Sequence, residues 1–206
     1  MVNRPAGGDR SKRWPKEPYD WYVEPPWAIE MLLDRFDFGD DLIFDPCCGR
    51  GTTLDVAKAR GYATFGQDVI DRYPRHKFRR GNFLQSTTLP RLGTRETSII
   101  CNPPYSYRED IAENIIRKAL SFNVRQACFL LPIAFLCSNG RWEFFEREFN
   151  PSHTAILSDR ISCPPGSIVD DYTTFTGGMA DYIWLIYTNG TRHRWKTQTV
   201  WLRKRD

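Results

Sequence analysis

Two short stretches of this 206-residue chain combine residue types and spacings that could do chemistry. The first is Asp45-Pro46-Cys47-Cys48-Gly49-Arg50-Gly51-Thr52. Glycines at 49 and 51 let the backbone pass close to a ligand where any side chain would collide, which suits an adenosyl group. A dinucleotide fingerprint needs a third glycine where this chain has Leu54, and a phosphate-binding loop needs a Gly-Lys-Ser/Thr ending that is absent, so neither NAD nor ATP is favoured. The second stretch is Asn102-Pro103-Pro104-Tyr105. The lone pair of an exocyclic nucleobase amine is delocalised into its ring, and acceptors on both N–H groups would draw that nitrogen toward tetrahedral geometry. The Asn102 side-chain oxygen and the Pro103 carbonyl can accept those bonds, the prolines stiffen the backbone without offering donors, and Tyr105 can stack on a base. Read alone, the first stretch is an ordinary strand-to-helix turn and the second a proline-stiffened loop. Their spacing gives them a joint meaning.

The elements that must position them follow from periodicity. Ile29, Leu32, Leu33 and Phe36 recur at helical spacing after Pro25-Pro26, predicting a helix over Pro26–Phe36. Asp41–Phe44 reads as a short strand running into the glycine turn, and Thr52–Arg60 as the helix after it. Tyr62–Phe65 predicts a second strand ending near Asp68, where a carboxylate would lie over a ribose and accept from its hydroxyls. Thr97–Cys101 predicts the strand that delivers Asn102, followed by a helix over Glu109–Leu120. Gln126–Leu131, Thr154–Leu157 and Tyr182–Tyr187 read as later strands, the last aromatic-rich and assigned to the core. Strands alternating with helices predict an α/β fold with a mostly parallel sheet and helices on both faces, its ligands beyond the carboxyl ends of the strands.

Composition bounds the rest. Apolar residues make up 41 % and charged residues 26 %, as in a globular protein. No stretch approaches the roughly 20 apolar residues that span a bilayer, so no membrane association is expected. The six cysteines form no C-x-x-C pair, and reduced thiols in a cytoplasmic protein follow. His76, His153 and His193 lie far apart, and Cys47-Cys48 cannot alone hold zinc, so no metal site is expected. The formal charge of +4 is concentrated in three clusters, at residues 4–16, 72–80 and 192–205. Each cluster alone reads equally as a solvated basic segment, but together they favour a polyanionic partner. Residues 1–20 read as a basic arm and 21–206 as one domain.

Asp-Pro-Cys-Cys-Gly-Arg-Gly followed some fifty residues later by Asn-Pro-Pro-Tyr resembles the amino-group-modifying class I S-adenosylmethionine-dependent methyltransferases, and among them the adenine-specific DNA N6-methyltransferases. The resemblance spans roughly residues 20–187. It implies a Rossmann-like domain with a seven-stranded sheet whose last strand is antiparallel. It also implies S-adenosylmethionine as cofactor, held at its methionine part by Asp45, Pro46, Gly49 and Gly51, at its ribose by Asp68, and at its adenine by Asn82 and Phe83. Trp21 and Tyr22, in Trp-Tyr-Val-Glu-Pro-Pro, match the segment that closes over the donor near its carboxylate, and read equally as a turn docking aromatics on the core. Asn102, Pro103, Pro104 and Tyr105 take the catalytic positions.

The chain departs from sequence-specific relatives in having no separate target-recognition domain, which points to relaxed specificity or to a partner subunit that supplies it. The turn-rich segment Arg160–Met179 reads either as a surface connection or as a substrate-facing loop, in which Arg160 and Tyr172 would contact phosphate and base. Nucleic acid is the expected partner, DNA ahead of RNA. The same motif also occurs in methyltransferases acting on RNA bases and on a release-factor glutamine amide, and some relatives are catalytically silent modules that bind nucleic acid or pair with an active subunit.

Overall fold

The computed structural model describes residues 17–72, 77–105, 110–137, 139–170, 178, 180–188 and 196–204. After a single turn at Pro18–Asp20, the chain runs α1 (Pro26–Arg35), β1 (Leu42–Asp45), α2 (Thr52–Ala59), β2 (Ala63–Asp68), β3 (Phe78–Arg80), β4 (Thr97–Cys101), α3 (Ile111–Leu120), β5 (Gln126–Pro132), α4 (Asn139–Glu143), β6 (His153–Leu157), β7 (Tyr182–Thr188) and β8 (Gln198–Leu202). The strands form one sheet in the order β3-β2-β1-β4-β5-β7-β6-β8. Strand β7 is antiparallel to both β5 and β6, and the remaining pairings are parallel. The expected α/β architecture is present, with eight strands instead of seven. The additional strand, β8, lies parallel to β6 at the sheet edge and comes from the basic final segment. Only Leu202 of its five residues is buried, so its apolar pattern is too sparse to stand out from a charged tail.

Alternation along the strands divides the core into two layers. Ile43, Ile100, Cys128, Leu130, Trp184 and Ile186 face α1 and α2. Phe44, Ile99, Cys101, Phe129, Leu131, Ile183 and Leu185 face α3. Helix α3 contributes Ala112, Ile115, Ile116, Ala119 and Leu120, the three- and four-residue spacing of an amphipathic helix. Central strands buried on both faces explain the continuous apolar runs in the sequence. At the amino edge of the sheet, Ser98 Oγ donates to Asp41 (2.5 Å) and accepts from the Gln126 amide (3.2 Å), while Arg125 reaches Asp41 at 3.3 Å. That network joins the starts of β1, β4 and β5 and leaves the carboxyl edge for the functional motifs.

Trp184 links the sheet to α1: its indole is fully buried and donates to the Ala28 carbonyl at 3.1 Å. Trp184→Ala should lower stability by about 3–5 kcal/mol through the cavity and the carbonyl left without its donor. Urea denaturation followed by circular dichroism measures this, and a loss below about 1 kcal/mol would show that α1 does not depend on the contact.

Candidate active site

At the carboxyl edge, the strand ends present Asn82 after β3, Asp68 at β2, the 46–51 turn after β1 and Asn102 after β4. At roughly 4.8 Å per strand, three strand spacings make an arc of about 14 Å. A cavity of about 320 Å³ follows it, within the range of small-molecule sites. Trp21, Tyr22, Pro46, Gly49, Asp68, Asn82, Phe83, Asn102 and Pro104 all line this cavity.

The glycine turn is built by backbone conformations that side chains resist. Gly49 has φ 50° and Gly51 φ 86°, and Gly51 caps α2. A Cβ on Gly49 would lie 3.0 Å from Trp21 Nε1 and 3.2 Å from Cδ1, so the glycine admits the indole. Asp68 ties the turn to β2, with Oδ2 accepting from the Gly49 amide (2.9 Å) and Oδ1 from the Ile70 amide (3.1 Å). Asp45 lies beneath, 2 % exposed, with Oδ1 accepting from the Cys47 amide at 3.0 Å. Asn82 Oδ1 caps a short turn by accepting from the Leu84 amide at 3.0 Å, and Phe83 is buried against Phe44 and Phe122.

At the other end of the arc, Asn102 Nδ2 donates to the Tyr22 carbonyl (3.2 Å) and to Glu24 Oε2 (3.0 Å). Two acceptors on one side of the amide fix which atom is nitrogen. Its oxygen, Oδ1, is buried without a hydrogen-bond partner. Among the described residues four buried side-chain polar atoms lack partners, and two of them, Asn102 Oδ1 and Trp21 Nε1, belong to residues lining this cavity. Orphan polar groups are costly in a folded interior, so their coincidence at one cavity points to a polar ligand.

The other expected site residues lie elsewhere. Asp45, Gly51 and Pro103 are buried and do not line the cavity. Tyr105 also turns away from it: the phenol hydroxyl lies 2.7 Å from that of Tyr182, and the ring packs against the core. Arg160 is exposed and pairs with Asp181 at 3.1 Å. Tyr172 lies outside the described residues, as do residues 1–16 of the arm.

Several contributors carry weak sequence signals. Glu24 is buried and accepts from Thr53 Oγ1 (3.2 Å) as well as from Asn102. Asp20 Oδ2 accepts from the Tyr105 amide at 2.7 Å. Arg72, which reads as part of a basic cluster, stacks over Trp21 at 4.4 Å and reaches Asp68 at 3.6 Å. Its neighbours Arg79 and Arg80 are also engaged internally, with Gln67 Oε1 (2.6 Å) and the Val69 carbonyl (3.3 Å). Gly166 has one discernible purpose, since a Cβ there would come within 2.1 Å of the Trp21 ring. The sequence signal for it is no more than the turn-residue composition of that segment.

The charged side chains lining the cavity are Asp20, Glu24 and Asp68 with Arg50 and Arg72, and Asp45 is buried next to the lining residue Pro46. Burial pushes Asp45 well above the usual carboxylate range, reinforced by Glu24 and Asp68. Burial also raises Glu24, against the hydrogen bonds from Asn102 and Thr53, and raises Asp68, against the Ile70 and Gly49 amides and Arg72. Burial disfavours the charged form of each carboxyl, and a cation placed among them would oppose that effect.

No family model matches the chain, and no curated protein aligns with it. Solved structures do share its fold. A candidate RNA methyltransferase from Pyrococcus horikoshii superposes with a TM-score of 0.60 at 15 % identity, over 84 % of this chain and 90 % of that one. A type I restriction-modification methyltransferase subunit from Streptococcus thermophilus gives 0.55 at 13 % identity, over 85 % of this chain and 46 % of the other. A candidate type I modification subunit from Vibrio vulnificus gives 0.52 at 15 % identity, over 88 % and 46 %. The chain thus spans about half the length of the type I subunits it resembles. At these identities the likeness is one of fold, the Rossmann-like architecture of methyltransferases.

The raised carboxyls set a pH dependence. Each contributes stability that is full below the ordinary carboxylate range and is lost as pH rises through its raised folded value. His153, whose pKa burial and Arg35 lower, acts with the opposite sign. Asp45→Asn removes one acid and leaves His153 untouched. The stability difference between Asp45→Asn and the ligand-free parent should therefore move in favour of the variant from pH 5 to pH 8. Thermal melts across that range measure it, and a pH-independent difference would show that Asp45 is ordinary.

Proposed function

We propose that the chain is an S-adenosylmethionine-dependent methyltransferase whose acceptor is the exocyclic amine of a nucleobase, adenine N6 in DNA before any other. The observation that carries this reading is the buried, unpartnered Oδ1 of Asn102. It belongs to a residue lining a cavity at the carboxyl edge of a methyltransferase-like fold.

The cavity residues fit the donor. S-adenosylmethionine carries a cationic sulfonium and an ammonium, which suit an environment containing Glu24, Asp45 and Asp68, and it supplies an electrophilic methyl group when bound. Asp68, at the end of β2, is suited to ribose hydroxyls, and Asn82 and Phe83 flank the region that would take the adenine. The unpartnered Trp21 indole N–H is a donor for the carboxylate.

On the acceptor side, Asn102 Oδ1 accepts an N–H of the incoming amine and orients the nitrogen lone pair. As that nitrogen acquires positive charge, the fixed amide dipole stabilises it without reorganising, which is where a preorganised site gains most. A neutral amide suffices, because no charge need be created on the protein.

One observation favours a second acceptor. Tyr105 is bonded to Tyr182 and does not line the cavity, so in this arrangement no ring from the Asn-Pro-Pro-Tyr turn waits to stack on a flipped base. An RNA base in a different pose, or a protein glutamine amide, would use the same Asn102 chemistry without that ring. Two of the structural neighbours are described as methyltransferase or modification subunits, in keeping with a partner that supplies target recognition to this chain.

Incubation with radiolabelled S-adenosylmethionine and, separately, duplex DNA, single-stranded DNA, total RNA and release factor should yield labelled N6-methyladenine in DNA. Asn102→Ala should lower transfer about 10²–10³-fold while leaving donor affinity by calorimetry unchanged. Label in RNA or glutamine would move the acceptor, and absence of label with every acceptor would overturn the enzymatic reading in favour of a silent module.

A further inference from the structure

One segment, residues 17–24, holds both ends of the Asn102–Tyr105 turn. The Tyr22 carbonyl and Glu24 Oε2 accept from Asn102 Nδ2 at 3.2 and 3.0 Å. Asp20 Oδ2 accepts from the Tyr105 amide at 2.7 Å. The same segment contributes Trp21 and Tyr22 to the cavity wall. It is itself fixed from behind: the Val23 amide donates to the Pro164 carbonyl and the Gly166 amide to the Trp21 carbonyl, both at 2.9 Å.

Within this strap Glu24 has a particular position. Its two oxygens divide between Thr53 in the first turn of α2 and Asn102 beyond β4. An Asn side chain can rotate by half a turn about its last bond at little steric cost and exchange oxygen for nitrogen. In the rotated state Oδ1 would face Glu24 and the Tyr22 carbonyl, both acceptors, and the cavity would be offered a donor. An N–H donor cannot accept from an amine, so that state would be incompetent.

We propose that Glu24 is a positioning residue that locks the Asn102 amide with its oxygen toward the acceptor, coupling the donor-side strap to the acceptor turn. The inference rests on the reading of Asn102 as the group that receives the acceptor amine. Glu24 itself need not touch the acceptor. Glutamine at this position keeps the lock, since its Oε1 accepts from Asn102 while its Nε2 donates to Thr53 Oγ1. Alanine removes it and leaves the Tyr22 carbonyl as the sole restraint on the amide nitrogen.

Two measurements on the full chain test this. In ¹⁵N-labelled protein the side-chain NH₂ of Asn102, assigned by its loss in Asn102→Ala, should exchange slowly with solvent. Exchange should accelerate in Glu24→Ala and remain slow in Glu24→Gln. In kinetics at saturating S-adenosylmethionine with the acceptor identified by labelling, Glu24→Ala should lower kcat at least tenfold, separately from any rise in donor KM that follows from removing its carboxyl from the cavity wall. Glu24→Gln should recover most of kcat. Adding Glu24→Ala to Asn102→Ala should cause no further loss, the non-additivity expected when one residue acts through another.

If amide exchange is the same in Glu24→Ala as in the parent, the lock does not exist. If Glu24→Ala lowers kcat equally with and without Asn102, or changes donor KM and leaves kcat as it was, Glu24 acts only on the donor side or on the fold and the proposal is overturned. If exchange behaves as expected but the parent transfers no methyl group, the lock is supported and the methyltransferase reading is what has failed.

Discussion

Both N–H groups of the Asn102 amide are engaged within the protein, one side chain and one carbonyl taking them, and the oxygen is left buried with nothing to accept from. This constraint organises the rest of the site. A buried amide with satisfied nitrogen and unsatisfied oxygen is an acceptor of fixed direction, and that direction depends on a strap from the start of the described chain. The strap in turn depends on Trp21 fitting among Gly49, Gly166 and the Arg72 guanidinium. Small residues at 49 and 166 are therefore needed for the orientation of the Asn102 amide, which they reach only through Trp21 and the strap. The sheet supplies the frame by ending β1, β2 and β4 at one edge, and the network of Asp41, Ser98 and Gln126 fixes the starts of β1, β4 and β5 at the opposite edge.

The electrostatics follow the same logic. Glu24, Asp45 and Asp68 are poorly solvated, and burial is the largest influence on each. Arg72 is the one cation paired with any of them among the described residues, and it reaches only Asp68. Carboxyls buried in this way are unfavourable in their charged form, and a cation among them would offset that cost. The hydrogen bonds to Glu24 from Asn102 and Thr53 oppose its desolvation. The lock on Asn102 thereby also tempers the burial of an acid.

Local patterns were readable where the residues themselves carry the reason. The strand, glycine turn and helix around Asp45–Thr52 and the strand end at Asn102 are written in short-range apolar runs, φ-permissive glycines and prolines. The parts that could not be read depend on distant partners. Tyr105 follows a motif that suggests stacking, but its hydroxyl meets that of Tyr182, 77 residues away, and no local pattern signals that choice. Glu24 reads as one polar residue before two prolines until Thr53 and Asn102 come to it. Arg72 has the composition of a solvated basic cluster, yet its guanidinium lies over an indole. Strand β3 has three residues, two of them arginines, and β8 is mostly exposed, so both lack the apolar alternation that marks a strand.

The segment after β6 bears on how much of the surface is free to meet an acceptor. Its turn-rich composition suggests a loop directed outward, with Arg160 reaching for phosphate. In the fold, Pro164 and Gly166 bond the strap backbone, Ser167 bonds Glu17, and the Val169 carbonyl accepts from Arg50 Nη1 at 3.2 Å. A stretch engaged this fully buttresses the strap, and it cannot peel away without releasing Trp21 and, through the strap, Asn102. Arg160 is held at the surface by Asp181 before that buttress begins. Rigidity that preserves the orientation of one amide is thus obtained by committing Pro164–Val169 to the strap.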